Sequence, residues 1–162
     1  MNRVTDSIEV QIRPVLVQLR AGFETHASAC QMLTLRSFPR GSCDWSSLFV
    51  ICILYDLGFP EAKMKRGFRA ASQGSSRPSG HTWVVVDNLD IDITADQFAD
   101  CNERVICDRA SKFHQTFCNQ ISIEPVSMDD YAECRGLLVD YERARSWLVG
   151  VQIVAPRRNR KN

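Results

Sequence analysis

Three residues in this chain have types and contexts that could do chemistry together: Cys43, His81 and Asp92. Cys43 stands in FPRGSCDWSS, residues 38 to 47, straight after a Gly-containing turn and straight before an apolar run. A thiol in the first turn of a helix faces unpaired N–H groups and the positive end of the helix dipole. Both favour thiolate over thiol. The same N–H groups can hold an oxyanion forming on a substrate. Asp44 works the other way, because a neighbouring carboxylate disfavours a thiolate, so an imidazolium partner is required.

His81 is that partner. It opens HTWVVV, residues 81 to 86, and the alternating LDIDI, residues 89 to 93, follows after Asp87-Asn88. With a two-residue turn, Val86 faces Leu89, Val85 faces Asp90, Trp83 faces Asp92 and His81 faces Thr94. His81, Trp83 and Val85 then share a sheet face with Asp90, Asp92 and Thr94. Asp92 is the diagonal neighbour of His81, roughly 7–8 Å away at the backbone. Asp90 is one diagonal further off, and a longer or bulged turn would shift the choice between the two aspartates. The expected roles are nucleophile for Cys43, base for His81 and orienting carboxylate for Asp92.

The elements that must position these groups can be read around them. Residues 4 to 36 read as mainly helical, with Ile8, Ile12, Val15, Leu16 and Leu19 at helical spacing and Pro14 as a break or kink. From Leu48 to Tyr55 no residue is charged, so residues 44 to 58 read as a helix buried on every side, stopped by Gly58. Residues 62 to 70 suggest a strand, and SQGSSRPSG, residues 72 to 80, a mobile loop. Thr94 to Gln97 matches a capping box opening a short helix. Residues 99 to 120 read as irregular, 121 to 126 as a strand, and 127 to about 149 as a helix with Tyr131, Cys134, Leu138, Tyr141 and Leu148 on one side.

A Gly-Ser-Cys turn opening an apolar helix, then His-x-Trp on a strand, then Ile-Asp-Ile-Thr on the next, resembles the transglutaminase-like branch of the papain-like cysteine enzymes. PRGSC, the apolar helix and LGF also resemble the cysteine motif of arylamine N-acetyltransferases. The likeness covers roughly residues 38 to 98, and Ile93 stands where transglutaminase-like motifs usually carry Pro. It implies an α+β papain/transglutaminase-like fold: a central buried helix carrying Cys43, packed on an antiparallel sheet, with flanking N- and C-terminal helices. It places the nucleophile on Cys43, the base on His81 and the orienter on Asp92.

Composition narrows the rest. The chain has 162 residues and a formal net charge of +1, so no global charge points to nucleic acid or membrane. The reading is one domain over residues 1 to 155 with a basic, disordered tail over 156 to 162. Seven cysteines, an odd number, argue for reduced thiols and a cytoplasmic setting. Cys52, nine residues after Cys43, points away from it into the core. Cys101, Cys107, His114 and Cys118 have spacings that match no standard zinc frame, so no metal and no cofactor is expected. His26 and His114 are expected at the surface. Trp45 and Trp83 are candidates to line a substrate pocket, with core padding as the plain alternative.

The expected function is a cysteine-nucleophile hydrolase acting on an amide bond, as a peptidase, an amidase or a glutamine deamidase. Transfer to an amine acceptor and a non-catalytic peptide-binding module are the alternatives. The expected partner is a peptide or protein substrate.

Overall fold

The computed structural model describes residues 8–71, 78–123 and 127–151. Helix α1, Ile8–His26, buries Ile12, Val15, Leu16, Leu19 and Phe23 at the spacing of one helical face. It runs through Pro14 instead of ending there. Pro14 and Val10 are both exposed, so water can serve the Val10 carbonyl that loses its helical donor. Two short 3-10 turns, Ala27–Ala29 and Leu35–Ser37, lead to helix α2, Cys43–Asp56.

Every residue of α2 from Ser46 to Leu54 is buried. That is the environment a helix without a polar face requires. Its C-terminus closes as a Schellman motif. Gly58 has φ +94°, its N–H bonds the Tyr55 carbonyl, and Phe59 N–H bonds the Leu54 carbonyl. Gly58 is therefore the stop signal because the motif needs a left-handed residue there.

Five strands follow: β1, Lys63–Arg69; β2, Ser79–Val86; β3, Leu89–Asp92; β4, Ile106–Arg109; and β5, Cys118–Ile123. They form one antiparallel sheet in the order β4-β3-β2-β1-β5. Asp87 and Asn88 both have positive φ, 46° and 61°. This is the primed two-residue turn that matches strand twist. It fixes Val86 opposite Leu89, Val85 opposite Asp90 and Val84 opposite Ile91. The register is the one expected from the sequence.

Helix α3, Arg135–Ser146, completes the fold. The chain is thus α+β, with α1 and α3 flanking α2. Phe49 on α2 stacks with Phe23 of α1 at 6.0 Å and meets Tyr141 of α3 edge-on at 5.2 Å. Val84, Val86, Leu89 and Ile91 cover the side of α2 toward the sheet in the same apolar core. No helix among the described residues is long and apolar enough to cross a membrane.

Several expectations need correction. Ser79 and Gly80 are not loop but the start of β2, opposite Arg69 and Phe68, which shortens the connection before His81. The expected long helix from 127 is two elements, a 3-10 turn at Met128–Tyr131 capped by Ser127 and Asp130, then α3. The buried face of α3 carries Leu137, Asp140, Tyr141 and Ala144, while Leu138 is only half-buried. Asp140 turns the helix this way, because its carboxylate accepts the Gln31 and Met32 N–H groups at 2.8 Å each. The irregular reading of 99 to 120 missed β4 and the start of β5. The expected loop over 72 to 77, the end of the strand at 124 to 126 and the basic tail lie outside the described residues.

Candidate active site

The site is built where the N-terminus of α2 meets the start of β2. Ser42 precedes the helix and donates its hydroxyl to the Pro39 carbonyl instead of capping. Gly41 has φ +65°, which makes glycine the natural residue for this tight entry. The first backbone bond of the helix runs from Ser46 N–H to the Ser42 carbonyl. The N–H groups of Cys43, Asp44 and Trp45 therefore lie ahead of the helical hydrogen bonds. Cys43 is half-buried and lines a 240 Å³ cleft with Asp44, Arg66, Phe68, Gly80, His81 and Thr82.

His81 is almost fully buried. Its Nε2 lies 2.6 Å from Oδ2 of Asp92. Its Nδ1 has no well-formed hydrogen bond, yet the Cys43 thiol is close enough to act on the ring. Asp92 is equally buried, and its Oδ1 accepts both the N–H and the hydroxyl of Thr94 at 2.7 and 2.9 Å. Thr94 thus serves the carboxylate rather than the expected capping box, although a 3-10 turn, Ala95–Gln97, does begin there. Asp90 is engaged elsewhere: it accepts the Trp83 indole N–H at 2.9 Å and the Ser111 N–H at 2.9 Å. The geometry brings Asp92, not Asp90, to His81.

The electrostatics follow from this packing. Burial disfavours a charged His81, but the Asp92 charge and hydrogen bond, with Cys43 adding to them, push it up to about 9. Burial alone would raise Asp92, yet the His81 charge and the bonds from His114 and His81 hold it well below the usual carboxylate range. An ionised Asp92 can only accept, so both histidines donate through Nε2. His81 Nδ1 is then left to exchange a proton with Cys43. Asp44, expected to oppose a thiolate, is drawn off by Arg66 at 2.7 Å and by the Thr82 hydroxyl at 2.5 Å. Sequence reading did not find Arg66. Burial pushes the Cys52 thiol up to about 12 and Cys107 up to about 11.

Sequence reading also placed His114 at the surface, and this is corrected. It is buried, with Nε2 3.1 Å from the Asp92 oxygen that His81 uses. It belongs to a 3-10 turn, His114–Thr116, flanked by Phe113 and Phe117. With Phe98 these aromatics enclose His81 at centroid distances of 5.0 to 5.9 Å. Gly67, opposite His81 on β1, makes room for this cover, since a Cβ there would meet Phe117 Cβ at 2.7 Å. The signal in the sequence was the aromatic frame of FHQTF, which places two rings one helical turn apart around the histidine.

Among the described residues, His81, Asp92 and His114 form the group whose ligand atoms lie within 4.8 Å of one another. Neighbouring ligands around tetrahedral zinc sit roughly 3.3–3.4 Å apart, given bonds of about 2.0–2.1 Å. A 2.6 Å contact is instead that of a charge-assisted hydrogen bond. Cys101, Cys107 and Cys118 join no such group, and none of the seven cysteines forms a disulfide.

The two tryptophans separate. Trp83 is fully buried against the His81 and His114 rings, so it is core packing beside them and not an exposed pocket wall. Trp45 lines a second cleft, of 380 Å³, with Leu48, Met64, Ile123 and Tyr131, and meets Tyr131 edge-on at 5.8 Å. Asp44 and Arg66 border both clefts. A larger groove of 590 Å³ follows Val10, Pro14 and Val17 on α1, and Cys43, His81 and Asp92 are not among its lining residues. Searches against protein-family models, curated proteins and solved structures find no significant match to this chain.

Proposed function

We propose that this protein is a cysteine hydrolase of amide bonds, with Cys43 as nucleophile, His81 as acid and base, and Asp92 as the group that orients His81. The observation that carries the reading is the buried His81 ring, fastened through Nε2 to Asp92 at 2.6 Å, with Nδ1 left for the half-buried thiol at a helix N-terminus.

The chemistry follows from those contacts. With His81 pushed up to about 9, the imidazolium persists at neutral pH and stabilises a thiolate on Cys43. The thiolate attacks the substrate carbonyl. The carbonyl oxygen gains charge beside the first N–H groups of α2. Collapse breaks the C–N bond, and His81 gives its Nδ1 proton to the leaving amine, leaving a thioester on Cys43. Neutral His81 then takes a proton from water as hydroxide adds to the thioester, and collapse breaks the C–S bond, releasing the acid and restoring the Cys43 thiolate beside protonated His81. The half-exposed thiol admits water to the thioester, which favours hydrolysis over transfer to an amine. The adjoining apolar cleft of Trp45, Leu48, Met64, Ile123 and Tyr131 suits an aromatic or branched apolar side chain on the acyl side.

The test is iodoacetamide labelling mapped by mass spectrometry, followed by a library of fluorogenic peptide amides varied at the acyl side chain. Cys43 should label faster at pH 6 than exposed Cys118, the advantage should vanish in His81→Ala, and Cys43→Ala should release no amine. Labelling of Cys43 no faster than Cys118 and indifferent to His81 overturns the proposal.

A further inference from the structure

The catalytic reading uses three residues, yet the Asp92 carboxylate holds four donors. Oδ1 takes both groups of Thr94, and Oδ2 takes the Nε2 atoms of two different histidines, at 2.6 Å and 3.1 Å. The two imidazole planes are nearly parallel, 11° apart with centroids 5.9 Å apart. Trp83 packs on His114 at 4.6 Å, and Phe113 and Phe117 hold the turn that carries it. Among the described residues the His114 ring has no other hydrogen bond, and its buried Nδ1 has no partner. A ring protonated on both nitrogens would leave a buried Nδ1–H unsatisfied, so the arrangement selects the tautomer that carries its proton on Nε2.

We propose that His114 is a positioning residue, which shares Oδ2 of Asp92 with His81 and so limits how tightly Asp92 holds the His81 proton. The inference rests on the Cys43–His81–Asp92 reading. A carboxylate oxygen that receives two N–H donors divides its charge between them. Without His114, Asp92 would bind the imidazolium more firmly, and His81 would give its proton less readily to a leaving amine. The aromatic shell makes this matter, since desolvation strengthens each charged contact inside it. The other charged or titratable groups around His81 are accounted for. Cys43 faces Nδ1, Asp44 is paired with Arg66 in the cleft, and Asp90 holds Trp83. Arg69 lies over Phe98, Phe113 and Phe117 and is paired with Asp100, and the buried Cys101 thiol sits near Asp92.

The experiment is a pH titration of the His81 ring by ¹H–¹⁵N NMR, beside the pH profile of Cys43 alkylation by iodoacetamide. Wild type, His114→Phe and His114→Gln are compared. Phe keeps the ring and removes the donor, so the His81 midpoint should rise by about half to one pH unit, and the alkaline limb of the alkylation profile should move with it. Gln restores a donor without the ring and should return both toward wild type. Equal midpoints in all three folded proteins would overturn the proposal and leave His114 as packing. Nitrogen shifts of wild-type His114 give a second reading that needs no variant to fold. A proton on Nδ1 and none on Nε2 would also overturn it. Alkylation that ignores His81 while the NMR midpoints shift would remove the hydrolase reading and keep the shared carboxylate. Alkylation that depends on His81 while the midpoints stay fixed would do the reverse.

Discussion

The two faces of the central sheet are built from opposite materials. On one, Val84, Val86, Leu89 and Ile91 meet α2 and α1 in an aliphatic core. On the other, His81, Trp83, Asp90 and Asp92 meet Phe98, Phe113, His114 and Phe117. Both faces are largely buried, but they solve burial differently. The aliphatic face needs only volume, because its groups carry no hydrogen-bonding demand. The aromatic face must satisfy two carboxylates, two imidazoles and an indole, and it does so with a network in which nearly every donor has a partner. The same hairpin serves both, since successive side chains of a strand point to opposite sides. On the proposed function, the aliphatic face carries most of the stability and the polar face carries the proton chemistry.

This division can be broken from either side. The largest effect is expected for Asp92→Asn, which keeps the shape and removes the charge that pushes His81 up. Amide turnover should fall roughly 10⁴-fold. The His81 midpoint should drop from about 9 to below its ordinary value, because burial would then act unopposed. Turnover within tenfold of wild type would show that the polar face is not the chemical one. Next comes Phe49→Ala on α2, which opens a cavity between α1, α2 and α3. A urea unfolding curve should lose about 3–5 kcal/mol. The pH profile of Cys43 alkylation in the folded variant should stay as in wild type, and a shifted profile would mean the faces are coupled.

The smallest effect is on stability against pH, and its sign is fixed by the polar face. The folded value of His81 is raised from 6.5 to about 9. Its contribution is therefore full below about pH 6.5 and is lost as pH rises through about 9. The folded value of Asp92 lies below its ordinary 3.8, so its contribution is present above that pH and lost only in stronger acid. The urea midpoint should decline between neutral pH and pH 10, and His81→Phe should flatten that decline. A decline of equal slope in the variant would assign it to other groups.

The same division explains what the sequence disclosed. The aliphatic face is written as periodicity and apolar runs, so α2, its Gly58 stop and the hairpin register were all readable. Cys43, His81 and Asp92 were readable because two of them sit on that hairpin and the third opens that helix. The cover of the polar face was not. It comes from short 3-10 turns, a four-residue strand and ring contacts between residues 95 and 117, and such pieces have no period to detect. His114 was misplaced for that reason: the FHQTF frame is a local hint, but the His81 and Trp83 rings that enclose it come from a distant strand. Arg66 was missed because its partner Asp44 is 22 residues away and only the sheet brings them together.

The two left-handed residues at Asp87 and Asn88 have a consequence for how this chain can change. They set the parity of everything after them: odd or even decides whether a β3 side chain enters the oil or the network. One residue inserted in that turn would exchange the two sets, putting Ile91 among the histidines and Asp92 into the aliphatic core. Two inserted residues would restore the count. The hairpin is thus a place where length is tolerated in pairs, and a library of insertions there should show survival alternating with the number added.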